Sequence, residues 1–184
     1  MIRKTVVLAC VLFVTACGGD GGDTAADGAG PTSAENGGHM RTMTEDEATQ
    51  RAEDHIRRAV AALPEQPTLT PLRSGSTECL DPTDNGPQGR YEVSRSYWLD
   101  DLPKDRNAEF VDALYEYWTA NNFRVLTDKR DAHDRFVSVE NNDDAFRMSV
   151  KQSVEGDLSL GASSPCIWPN GTPPEDTPPA DTAG

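Results

Sequence analysis

The sequence predicts an α+β domain, a two-layer sandwich with two helices on one face of a mainly antiparallel sheet of about five strands. Three observations predict it. Residues 44–63 and 107–120 place apolar side chains at helical spacing. Residues 90–99, between them, alternate with period two. After Asn122 the chain falls into four short alternating segments separated by polar turns, the pattern of an antiparallel meander.

The first helix has a well-marked start. Thr44 is placed as N-cap and Glu47 at the third helical position, a capping box, with Met43 set to staple against Ala48. Ala48, Ala52, Ile56, Ala59, Val60 and Leu63 then form one stripe, and its small alanines predict close approach to another surface. Pro64 disfavours helical geometry at Leu63, and with Pro67 and Pro71 makes the next stretch extended or looped. A strand over residues 90–99 carries Tyr91, Val93, Tyr97 and Leu99 on one side, after a turn-rich segment from Asp81 to Gly89. The second helix shows a larger face, Phe110, Val111, Leu114, Tyr117 and Trp118, with Asn121 and Asn122 suited to its exit. Four strands follow, over residues 123–127, 135–140, 145–153 and 158–164, the last two joined by a Glu155-Gly156-Asp157 hairpin loop.

The first forty residues concern address rather than fold. Arg3 and Lys4 precede an uncharged run, residues 5–16, that is too short for a membrane-spanning helix of about 20 residues. Val14-Thr15-Ala16-Cys17 resembles the bacterial lipobox, which implies cleavage before Cys17 and lipid on that cysteine. An ordinary secretory signal cut elsewhere, or a retained anchor, is the alternative. Residues 1–16 are thus expected to be a signal peptide and residues 17–43 the lipidated cysteine and a flexible linker, poor in large apolar side chains. The domain is expected over residues 44–168. Residues 169–184, acidic and proline-rich, are expected to be a disordered tail.

The full chain carries 17 basic and 31 acidic residues, net −14. Loss of residues 1–16 removes Arg3 and Lys4 and no acid, which takes the balance to −16. That charge, without a Lys/Arg cluster, opposes nucleic acid and other polyanions as partners. Cys10 is lost with the signal, and if Cys17 is acylated only Cys79 and Cys166 can pair within the molecule. An exported compartment permits such a bridge.

No phosphate loop, His-Glu-x-x-His helix, nucleophile elbow or EF-hand series is present, so the sequence names no catalytic residue, metal ligand or cofactor. His55 and His133 are expected to be solvated. Residues 128–134 offer three carboxylates and His133, either a cation site or a charged hairpin loop whose Lys129 and Arg130 would repel a cation. Residues 141–144, Asn-Asn-Asp-Asp, read as a turn. Tyr97, Trp98, Tyr115, Tyr117, Trp118 and Trp168 either fill the core or line a ligand groove.

The lipobox, the Ala-rich first helix, Cys79 with Cys166, and the ending Ser164-Pro165-Cys166-Ile167-Trp168-Pro169 are similar to the small exported lipoproteins of actinobacteria, the LppA group in particular. The resemblance is one of architecture. It implies an α/β domain held by its lipid on the outer face of the cytoplasmic membrane, and it carries no catalytic residue over. The expected function is a non-enzymatic envelope module that binds a small ligand or a protein through the sheet face opposite the helices. A lipid or small-solute carrier, or a hydrolase in which His55 or His133 meets a carboxylate in a pocket, are the alternatives.

Overall fold

Helix α1, Glu45–Ala61, begins where its capping chemistry requires. The Thr44 amide donates to the Glu47 carboxylate at 2.8 Å and the Glu47 amide donates to Thr44 Oγ1 at 3.2 Å, so two otherwise orphaned N–H groups are satisfied. Met43 packs against the core beside this cap. Ala48, Ala52 and Ala59 are fully buried, and Ile56, Val60 and Leu63 complete the stripe.

The computed structural model describes residues 43–80, 87–131 and 133–174. All of these fall in one compact unit, Gly37–Gly184; the other unit, Met1–Asn36, lies outside the described residues. The signal segment, Cys17, the linker as far as residue 42 and the tail from residue 175 therefore lie outside them too. Among the described residues no helix is long and apolar enough to cross a membrane.

Six strands form one antiparallel sheet: β1 (Thr68–Glu78), β2 (Tyr91–Asp100), β3 (Phe123–Lys129), β4 (Phe136–Asn141), β5 (Arg147–Gln152) and β6 (Leu158–Ser163). Helix α2, Asn107–Ala120, lies between β2 and β3 in the chain after one 3-10 turn, Lys104–Arg106. The spatial order is β1-β2-β6-β5-β4-β3. The meander of the last four strands is present, and β2 pairs with its final strand. The sheet has six strands where the sequence predicts about five, and β1 is the strand not anticipated. This edge strand is almost wholly exposed and has no alternation to betray it, and its Pro71 is accommodated beside a register shift between Pro71 and Arg73.

Both helices contribute to one core. α1 packs on β2 and β6, α2 on β3, β4 and β5, and the two helices touch. Val93, Val137, Val139, Val150 and Leu160 are fully buried beneath them, with Phe110, Leu114 and Trp118 from α2. α2 exits through Asn121 into Asn122, which takes a left-handed φ of 63° tolerated by asparagine.

Cys79 and Cys166 are disulfide-bonded, with Cα atoms 6.2 Å apart. Because β1 precedes Cys79, the bridge ties the β1–β2 connection to the segment after β6. Backbone pairing surrounds it: the Tyr91 amide donates to the Ile167 carbonyl at 2.8 Å and the Cys79 amide to the Arg90 carbonyl at 2.9 Å. Pro169 and Asn170, expected in the tail, belong to the folded domain. The Glu45 amide donates to the Pro169 carbonyl at 3.0 Å, and Thr44 and Asn170 form an isolated antiparallel bridge. Here the segment after β6 supplies an acceptor to the first turn of α1, a partner distant in sequence.

Candidate functional site

Directly opposed residues of an antiparallel pair share a face, so the strand registers trace three rows across the side of the sheet away from the buried valines. The first runs Arg124, Glu140, Arg147, Ser163, Ser94, Gly75. The second runs Thr127, Ser138, Ser149, Gly161, Ser96, Arg73, and the third Lys129, Phe136, Lys151, Ser159, Trp98, Thr70. The middle row is small from β3 to β2 and ends at a guanidinium. A concavity of about 550 Å³ lies along it, lined by residues of all six strands from Arg73 on β1 to Leu126 on β3.

Small side chains make this floor low. Gly161 is the tightest point: a Cβ there would stand 3.3 Å from Ser96 Cβ and 3.4 Å from the Arg95 carbonyl oxygen. A second concavity of about 660 Å³ lies at the end of the strands beside the disulfide and shares Thr77, Glu92 and Arg147 with the first.

The ionic groups differ in how far they are satisfied. Glu140 accepts from Arg124 and from Arg147, the latter at 2.9 Å, and these hydrogen bonds hold its carboxyl below the usual carboxylate range. Glu92 is half-buried between the two concavities. Burial pushes its carboxyl up, a shift that the nearby Arg147 charge opposes. Among the described residues the side chains of Glu92 and Arg73 have no hydrogen bond or ion pair. The same three rows carry five basic residues, Arg73, Arg124, Lys129, Arg147 and Lys151, against Glu140. Glu92 and Asp100 share the parity of Ser94 and Trp98 on β2 and bring the acids of this face to three. On a chain of net −14 this face is locally basic.

His55 is not solvated, as the sequence suggests, but buried, 7% exposed. Its Nε2 lies 2.9 Å from Asp144 Oδ2, and its ring packs against Phe123 and Phe146 at 5.7 and 5.2 Å. Residue spacing could have found it, because position 55 falls three after Ala52 and four before Ala59 on the buried stripe. The Asp144 partner, 89 residues away, could not be read from sequence. Arg51 also approaches Asp144, at 3.5 Å. Neither residue of the His55–Asp144 pair lines either concavity; it ties α1 to the β4–β5 turn. His133 is exposed, and its carbonyl accepts from Gln152 Nε2 at 3.0 Å.

The loop after β3 is a charged hairpin. Arg130 donates to Asp128 at 2.8 and 2.9 Å and to Asp112 at 3.0 Å, and lies 3.5 Å over the Tyr115 ring. A guanidinium thus sits where a metal ion would have to be, and among the described residues no group of three potential ligands gathers around a common point. Residues 141–144 are a turn: Asn141 Oδ1 accepts from the Asp143 and Asp144 amides at 2.9 and 3.2 Å. Of the aromatic set, Trp118 and Trp168 are buried, while Tyr97 reaches α1 by donating to Glu53 at 2.6 Å. Trp98 alone joins the rows of the exposed face.

No protein-family model, curated protein or solved structure matches this chain.

Proposed function

We propose that this chain is a lipid-anchored module of the cell envelope, cut before Cys17 and held on the outer face of the cytoplasmic membrane, that binds a ligand or partner without chemically altering it. In this reading the two-layer domain turns its helices away and presents the trough along the middle row. One observation carries it: a six-stranded sheet whose central strands are packed under the helices on one face has, on the other, a hydroxyl-floored concavity that crosses every strand. The volume, about 550 Å³, falls in the range of small-molecule sites, roughly 300–1,000 Å³. The Cys79–Cys166 bridge supports the exported address, since such bonds persist in oxidising compartments. The fully buried alanines of α1 leave little room for a lipid between helix and sheet, which favours the exposed face over the carrier reading.

The test places a photo-crosslinking residue at Ser149, on the trough floor, and at Asp54, half-exposed on the far side of α1, in the native envelope. Capture from position 149 but not 54, abolished by a blocking Ser96→Trp, is the expected result. Equal capture from both positions, or insensitivity to the block, overturns the binding-face reading. Cys17→Ser should release the protein from membranes or leave its signal uncut, and a mature, fully membrane-bound variant overturns the anchor.

A further inference from the structure

The trough holds unpaired ionic groups of both signs, and this speaks to its occupant, resting on the binding-module reading above. We infer that it takes a short zwitterionic peptide with free termini, its carboxylate on Arg73 and its ammonium on Glu92, lying over the hydroxyl floor between them.

Spacing supports the size. Arg73 stands opposite Ser96 and Glu92 opposite Thr77, so the two charges flank a stretch of β2 four residues long, about 13 Å. Three extended residues span about 10 Å, and the Arg and Glu side chains cover the difference. Ser94 lies between the charges and Ser96 beside Arg73. Hydroxyls both donate and accept, which is what the N–H and C=O groups of a peptide need irrespective of its sequence.

Charge excludes the simpler occupants. A plain anion on Arg73 would meet Glu92, whose carboxylate has no hydrogen bond or ion pair among the described residues; burial drives that carboxyl upward more than the Arg147 charge lowers it, so an arriving ammonium relieves it. A polyanion would feel the −14 of the whole chain beyond the few ångströms over which the trough is basic. An apolar ligand would strip the floor's hydroxyls of water and return no hydrogen bond. Arg147, whose charge acts on Glu92, is itself held by Glu140 at 2.9 Å and forms no ion pair with Glu92.

Isothermal titration of the detergent-solubilised full-length protein with triglycine, N-acetyl-triglycine and triglycine amide tests this directly. Triglycine should bind, and each capped form should bind about tenfold or more weakly, the loss expected for one charged hydrogen bond. Glu92→Gln should weaken triglycine similarly and make binding indifferent to acetylation; Arg73→Gln should do the same for amidation. Unchanged melting of both variants shows that their fold is intact. Equal affinity for free and capped peptides, no effect of either variant, or no binding of triglycine overturns the inference. Continued capture from Ser149 in those cases shows that the binding face itself stands, whereas loss of capture as well shows that the underlying reading has failed.

Discussion

Along β6, Leu158, Leu160 and Ala162 are buried beneath α1, while Ser159, Gly161 and Ser163, interleaved with them, are half-exposed on the other side. β5 repeats the division, with Met148 and Val150 buried and Ser149 beside them half-exposed. The two faces of one sheet thus obey different rules. The helix-covered face is chosen for volume and loses stability when a methylene goes. The other keeps small side chains in its middle and charges at its margins, and its substitutions should cost little stability. A face needed only for solubility would carry long charged side chains throughout; this one keeps its middle low.

The largest expected effect concerns what holds the faces in register. The Cys79–Cys166 bridge closes 87 residues, so replacing both cysteines by serine should cost up to about 4–5 kcal/mol in the chain-entropy account, a large fraction of an ordinary domain stability of about 5–15 kcal/mol. Denaturant unfolding of the oxidised protein and the double variant measures it, and thiol titration of the denatured, non-reduced protein should find neither cysteine free. A loss near zero would mean that packing alone sets the register.

Leu160 and Ser159 break the comparison most cleanly because they adjoin in sequence. Leu160→Ala, at a fully buried site, should lose about 2–5 kcal/mol. Ser159→Ala should stay within about 0.5 kcal/mol. Similar losses at both positions would show that the exposed face is also under packing constraint.

The smallest effects are pH-dependent and opposite in sign. The folded-state pKa of Glu140 is lowered, so its contribution is present above its ordinary value near 4.5 and is lost as pH falls through the folded one; Glu140→Gln should remove that part of the acid sensitivity. The folded-state pKa of Glu92 is raised, so its contribution is present below its ordinary value and is lost as pH rises through the folded one. Glu92→Gln should therefore stabilise at neutral pH. Melting temperatures from pH 3 to 8 check both signs.

Both helices, β2 and the final meander are legible in the sequence because each buries one side and repeats at its own period. β1 is not: an edge strand exposed on both sides, with Pro71 and Gly75 inside it, carries no periodicity to read. The pairing of β2 with β6 joins residues nearly seventy apart, Ser94 with Ser163, and no local rule specifies it. His55 shows a residue type overriding a spacing signal. The trough was legible only in outline, as the polar positions of strands; that those positions line up across six strands depends on register, which short segments do not fix.

The bridge between Thr44 and Asn170 gives the fold a near-circular connectivity. The first and last paired residues of the domain are neighbours, so joining them through a short linker would close little additional entropy. A new pair of ends could then be opened in the β5–β6 hairpin, at the turn where Gly156 takes a φ of +87°. Such a circular permutant would keep every strand pairing and both helices while moving the ends of the domain to that hairpin. Where the chain enters and leaves this domain is in that sense a matter of gene order, separable from how the sheet packs.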